Sequence, residues 1–306
     1  MARQMRTERV LVDGISTRYY EYGEGSPVLL VAGAASSARD WFPVMRDLGD
    51  TCRVLAPVLP GFEGTSPLPD VKPVRMAAFL ADFLDALGID RVTAVGHSYG
   101  GSVVAELTIA HPGLVRRLAL VDANGLGRVA HPAAIALGLL PPRAADLLSV
   151  LASLPGSQPI LALSSLLLLR QPWRVPVETW LAQLRLARSR QSLRTSLEIF
   201  RACADITGQR ADVLVVDRLS RLRTPVLIVW GDTDTLLPAW QGRAAARRLP
   251  AGKFVLLTAA GHVSHLDRHA DFMDAVGPFV RDGDERVPRA PTETHRAEGS
   301  THDPGR

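Results

Sequence analysis

Ser98 stands between two glycines in the run Ala94-Val95-Gly96-His97-Ser98-Tyr99-Gly100-Gly101. A serine hydroxyl is a poor nucleophile near neutral pH, and it becomes useful for acyl transfer when a base lies in hydrogen-bond reach and an acid anchors that base. The apolar run Val92 to Val95 precedes the motif, and Val103, Val104, Leu107 and Ile109 follow it at helical spacing. Strand, sharp turn, helix is the context in which such a serine projects its hydroxyl above a sheet edge. There it meets the positive end of the helix dipole and free backbone N–H groups. The turn leaves no room for side chains at Gly96 and Gly100. His97, next to the nucleophile on a tight turn, points away from it, so its expected role is packing.

Base and acid are expected in loops at the C-terminal ends of later strands. Thr224-Pro225-Val226-Leu227-Ile228-Val229-Trp230-Gly231-Asp232-Thr233-Asp234 reads as a strand closed by a glycine turn, with Pro238 opening a helix beyond it. Phe254-Val255-Leu256-Leu257 leads into a second such loop, Ala260-Gly261-His262. Ser98, Asp234 and His262 then follow the chain order Ser, Asp, His. Asp232 and Asp122, the latter just after a strand ending at Val121, are alternative acids. His265 and His269 fall on what reads as the final helix, where surface histidines are common, so His262 on its glycine turn is the candidate base. In the expected chemistry His262 removes the Ser98 proton, Ser98 attacks a carbonyl, and Asp234 stabilises the imidazolium. No metal or organic cofactor is implied.

The elements that must position these groups are short apolar runs alternating with helical segments, the pattern of a parallel sheet covered on both faces. Eight runs read as strands: Arg9 to Val12, Arg18 to Tyr22, Val28 to Val31, Arg53 to Ala56, Val92 to Val95, Leu118 to Val121, Val226 to Trp230 and Phe254 to Leu257. Met76, Phe79, Leu80, Phe83, Leu84 and Leu87 recur at helical spacing, with Gly88 in the capping position. From about Leu126 to Val213 the chain turns Leu-rich, Arg-rich and Pro-punctuated, which reads as a helical cap; the other reading is a helical bundle beside the sheet without bearing on substrate. Within it Trp180, Leu181, Leu184 and Leu186 alternate with Arg185, Arg188 and Arg190 as an amphipathic helix. The expected organisation is a first core part at 1–125, the cap at 126–213, a second core part at 214–282 and a polar, disordered tail at 283–306.

At 306 residues and 47% apolar content the chain has ample length for a large core and an insertion. The net charge of +4 comes from arginines spread along the sequence among acidic residues, which argues against nucleic acid as a partner. Cys52 and Cys203 match no metal-ligand spacing and read as small hydrophobes. The apolar run Ile160 to Leu169 is too short to span a membrane, and the first residues carry no apolar stretch, so a cytoplasmic location without a transmembrane segment is expected. Leu166 to Leu169 with Arg170 and Arg174 raise a membrane-surface reading, against burial of those leucines on the core.

Four segments together resemble the α/β-hydrolase superfamily, especially its capped esterase-like branch: Gly96-His97-Ser98-Tyr99-Gly100, Trp230-Gly231-Asp232-Thr233-Asp234, Gly261-His262, and Leu59-Pro60-Gly61-Phe62 with Ser66 behind it. The resemblance implies an α/β-hydrolase fold with a mostly parallel eight-stranded sheet, flanking helices and a helical cap. It also implies that the backbone N–H groups of Tyr99 and Ala34 receive the oxyanion, each worth about 3 kcal/mol of barrier. Two residues depart from the family's pattern: Ala32 stands where a histidine usually opens the loop after the third strand, and Val58 where an aspartate usually precedes Leu-Pro-Gly-Phe. Dehalogenases and epoxide hydrolases of this fold carry a nucleophilic aspartate at position 98, so Ser98 argues against those activities. A Leu-rich cap implies a small hydrophobic acyl substrate, an ester or lactone first. Thioesters, amides, carbon–carbon bonds, perhydrolysis and a receptor-like binding role stay open, as does homodimerisation.

Overall fold

A computed structural model describes residues 4–154, 156–157 and 168–281. Most of the run 160–169 and all of the tail 283–306 lie outside the described residues. All eight runs read as strands belong to one sheet: β1 (Arg6–Val12), β2 (Ile15–Tyr22), β3 (Ser26–Val31), β4 (Cys52–Pro57), β5 (Val92–His97) and β6 (Val115–Val121). After a hairpin of two-residue strands, β7 (Ala204–Asp205) and β8 (Gly208–Gln209), come β9 (Val226–Gly231) and β10 (Gly252–Leu257). The order across the large sheet is β1-β2-β4-β3-β5-β6-β9-β10, and only β2 runs against its neighbours. Val28 to Val31 and Val226 to Trp230 are buried throughout, the continuous apolar run expected of a parallel strand covered on both faces.

The helices α1 (Phe42–Leu48), α2 (Pro73–Ala86) and α3 (Tyr99–Ala110) connect the first strands. α2 buries the expected stripe of Met76, Phe79, Leu80, Phe83 and Leu84. It ends as the sequence reads: Gly88 takes a φ of +64°, its N–H reaches Asp85 O at 2.8 Å, and Ile89 N–H reaches Leu84 O at 2.9 Å.

Between β6 and β9 come α4 (Pro132–Gly138), α5 (Pro142–Ser153), α6 (Val177–Ala187), α7 (Arg190–Cys203) and the short α8 (Val216–Leu219). The amphipathic stretch around Trp180 is broken at Ser189, which caps α7 by accepting Ser192 N–H at 3.2 Å. α7 packs against α4, α5 and α6, and α6 also packs on the turn Ala38–Trp41 that follows β3. α9 (Ala239–Arg248), α10 (Ser264–Asp267) and α11 (His269–Val280) complete the chain. From β3 the chain moves to β4 on one side, whereas β5 leads to β6 on the other. The crevice at the C-terminal ends of β3 and β5 is therefore a topological switch point, where open α/β sheets bind ligands.

Candidate active site

Ser98 joins β5 to α3 in a conformation that non-glycine residues seldom adopt, with φ +52° and ψ −119°. The turn is held by Ser98 N–H donating to Val121 O at 2.9 Å. It is tight enough to demand its glycines. A Cβ on Gly96 would fall 2.3 Å from Gly100 O, and one on Gly100 would fall 2.4 Å from Val31 O.

The structure brings Ser98, His262 and Asp234 from three strand ends into one line of hydrogen bonds. His262 Nε2 lies 2.9 Å from Ser98 Oγ, and His262 Nδ1 lies 2.8 Å from Asp234 Oδ2. With the ring neutral, Nδ1–H donates to the carboxylate and Nε2 accepts from the serine. Asp234 is fastened by the backbone N–H groups of Leu236 and Leu237, at 2.8 and 2.9 Å, and by the Trp230 indole N–H at 3.0 Å. Burial by itself would depress the His262 pKa, but the charge and hydrogen bond of Asp234, helped by Asp122, hold it above the ordinary histidine value. His97 serves the loop: its Nε2 donates to His262 O at 2.8 Å, and burial pushes its pKa down to about 3, so the ring is neutral.

The alternative acids lie elsewhere. Asp232 is exposed, and its carboxylate accepts Ala260 N–H at 3.2 Å. Asp122 is fully buried, with φ +46°, and accepts Gly231 N–H at 2.8 Å, Ser264 N–H at 3.1 Å and Ser264 O–H at 2.6 Å. It therefore ties the end of β6 to the loops that carry Asp234 and His262. Burial, and then the nearby Asp234 charge, raise its pKa above the ordinary carboxylate value. The expectation of a surface His265 is corrected: the ring is 1% exposed and stacks on Trp41 at 4.3 Å. Burial, and then its neighbouring histidines, drive its pKa well below the ordinary value. His269, half-buried, pairs with Asp47 at 2.8 Å.

Ala34 and Tyr99 both line the cavity above Ser98, and neither backbone N–H has a hydrogen-bond partner among the described residues. Ala32 makes no side-chain hydrogen bond, and its loop is held from the other end. Ser37 N–H donates to Asp40 at 3.1 Å, and Ser37 O–H donates to Glu63 at 2.5 Å. Gly33 packs so closely that a Cβ there would lie 3.0 Å from Ser98 Cβ.

The cavity has a volume of about 730 Å³. Its walls are mainly apolar side chains from the helices after β6, among them Leu148, Trp180, Leu197 and Phe200. No lysine or arginine is among the described residues that line it. Among the polar side chains there that escaped the sequence reading, Asp40 and Asn124 are buried with an atom unpartnered among the described residues. Asp40, 4% exposed, receives a 3.4 Å hydrogen bond from Gln183 on α6 and leaves Oδ1 unpartnered among the described residues. Burial, with Glu63 adding repulsion, pushes its pKa up to about 7. Asn124, just past β6, likewise leaves its side-chain N–H₂ unpartnered among the described residues. Asp40 closes a capping box with Ser37 at the turn Ala38–Trp41, a local signal that says nothing of the cavity, and Asn124 has no such motif, so only the tertiary structure places the two on its wall.

A serine on a strained strand-to-helix turn, followed in chain order by its aspartate and histidine over a mostly parallel sheet, defines the α/β-hydrolase class. The chain belongs to the alpha/beta hydrolase family, whose model matches residues 28–275. It is similar to 2-hydroxymuconate semialdehyde hydrolase of Pseudomonas sp. strain CF600, 26% identical over 284 residues, covering 90% of this chain and 94% of that one. Among solved structures it resembles 2-hydroxy-6-oxo-6-phenylhexa-2,4-dienoate hydrolase of Rhodococcus sp. strain RHA1, with TM-score 0.74, 21% identity and coverage of 91% and 98% of the two chains. It also resembles a putative lipase from Acinetobacter baumannii AYE, with TM-score 0.74, 23% identity and 90% coverage of each chain.

Proposed function

We propose that the protein is a serine hydrolase that cleaves a small hydrophobic carboxylic ester or lactone through an acyl-enzyme on Ser98. The observation that carries this reading is the hydrogen-bonded line Ser98–His262–Asp234 at the base of an apolar cavity whose described walls bear no lysine or arginine. In the mechanism His262 takes the Ser98 proton as Oγ attacks the carbonyl carbon. The oxyanion is met by the N–H groups of Ala34 and Tyr99, whose freedom from other partners suits that role. His262 then returns its proton to the departing alcohol, activates a water, and releases the acid with Ser98 restored. The helices between β6 and β9 act as the cap and set the length and width of substrate.

The relatives named for dienoates and a semialdehyde of muconate favour a second reading, carbon–carbon bond hydrolysis on the same residues. Such substrates carry a carboxylate, whose burial without a cation is costly. A wall that holds Asp40 and, among the described residues, no lysine or arginine therefore favours the uncharged ester. The test is turnover of p-nitrophenyl esters of increasing acyl length by the protein and by Ser98→Ala, beside a 2-hydroxy-6-oxodienoate. Ester turnover lost in the variant supports the first reading. Turnover of the dienoate alone replaces it with the second.

A further inference from the structure

Helix α5 is amphipathic, with its apolar side turned outward. Leu147 and Leu151, one turn apart, are 58% and 51% exposed, and Leu154 just past the helix end is 49% exposed, whereas the residues it buries are Ala145 and Ser149. A helix packed on a globular core does the opposite. Trp173 and Val177, ahead of and at the start of α6, are 76% and 70% exposed. Of the 13 large hydrophobic residues exposed among the described residues, nine fall between Val129 and Leu181. Exposed apolar side chains concentrated in one stretch of chain in this way mark a place of contact.

Charge indicates what is contacted. Residues 126–213 hold ten arginines and five acidic residues, a net of +5, while the whole chain carries +4, so the remainder is slightly negative. Arg143 lies one turn before Leu147 on α5, Arg174 follows Trp173, and Arg185 lies one turn beyond Leu181. All three are exposed, and none has an ion pair among the described residues. A second copy of the same face would bring these cations against one another, whereas an anionic surface would be drawn to them. Leu148, exposed on α5, also lines the cavity over Ser98, so the apolar face runs into the cavity wall. No single helix among the described residues is long and apolar enough to cross a membrane. α4 and α5 together reach that composition only as a pair bent by 111°. Leu168 and Leu169 line the cavity, Leu166 and Leu167 lie outside the described residues, and the outward leucines described are those of α5.

We propose that this face of the helical insertion docks on an anionic lipid surface, with the leucines of α5 in the acyl boundary and Arg143, Arg174 and Arg185 among the headgroups. Docking does not depend on the hydrolytic reading. The experiment is cosedimentation of the full chain with vesicles of phosphatidylcholine alone and of phosphatidylcholine with 30% phosphatidylglycerol. At least fivefold more protein is expected on the anionic vesicles. Ser98→Ala should bind equally, which separates this test from that of the enzyme. The double variant Leu147→Ser/Leu151→Ser should lose at least tenfold in binding with an unchanged melting temperature. Arg143→Glu/Arg174→Glu should lose the preference for phosphatidylglycerol. Absence of binding to the anionic vesicles, or equal binding by the leucine variant, overturns the proposal. So does a dimer in sedimentation velocity that the leucine variant dissociates without any vesicle binding.

Discussion

The eight-stranded sheet and the helices inserted after β6 dispose their apolar side chains in opposite ways. In the sheet Val28 to Val31 and Leu118 to Val121 are wholly enclosed, and the strand ends hold Ser98, Asp234 and His262 on backbone that cannot shift without breaking the core. In the insertion, apolar side chains face inward to a cavity or outward to solvent, and few are enclosed by protein. The difference separates two tasks. On the proposed function, the packed sheet would keep the reacting groups in register and the loosely filled helical layer would admit the substrate.

That division is broken most directly at the strand ends. Ser98→Ala is expected to lower kcat by on the order of 10⁴-fold or more with little change in melting temperature, read in an ester assay. Asp234→Asn should cost about 10³- to 10⁴-fold in kcat, because Nδ1–H of His262 loses its charged acceptor. By contrast, Trp180→Ala in the cavity wall should raise KM for long acyl esters about tenfold and leave kcat nearly unchanged, because the acyl chain then has less apolar surface to bury itself against. A large kcat loss there would erase the distinction between the two regions.

Smaller effects sharpen it through pH. His262 must be neutral to accept the Ser98 proton, and its pKa lies above 6.5, so kcat/KM should rise with pH through an ionisation above that value. In Asp234→Asn that ionisation should move downward. Asp40 contributes in the other direction, to stability. Its pKa is about 7 in the folded chain against 3.8 for an ordinary aspartate, so the folded state holds the proton that the unfolded state releases between those values. Stability from this group is therefore lost as pH rises from about 4 to 7. Urea denaturation of Asp40→Asn should show the variant gaining on the parent protein across that range. Asp122→Ala, which removes the acceptor shared by Gly231 and Ser264, should cost about 1–3 kcal/mol per orphaned buried donor and lower kcat by loosening both loops.

The candidate residues were legible because their signals are local. A glycine on each side of Ser98, a glycine turn before Asp234 and another before His262 reflect steric demands met within a few residues of chain. The eight strands were legible for a similar reason, since burial on both faces writes continuous apolar runs. Asp122 as the tie between two loops, the buried ring of His265, and Asp40 and Asn124 on the cavity wall were not legible. Each depends on atoms brought together from distant parts of the sequence. The leucines of α5 show the limit in its simplest form. Their spacing determines that they share one side of a helix, but which way that side faces depends on what the remaining elements leave uncovered, and only the tertiary structure decides that.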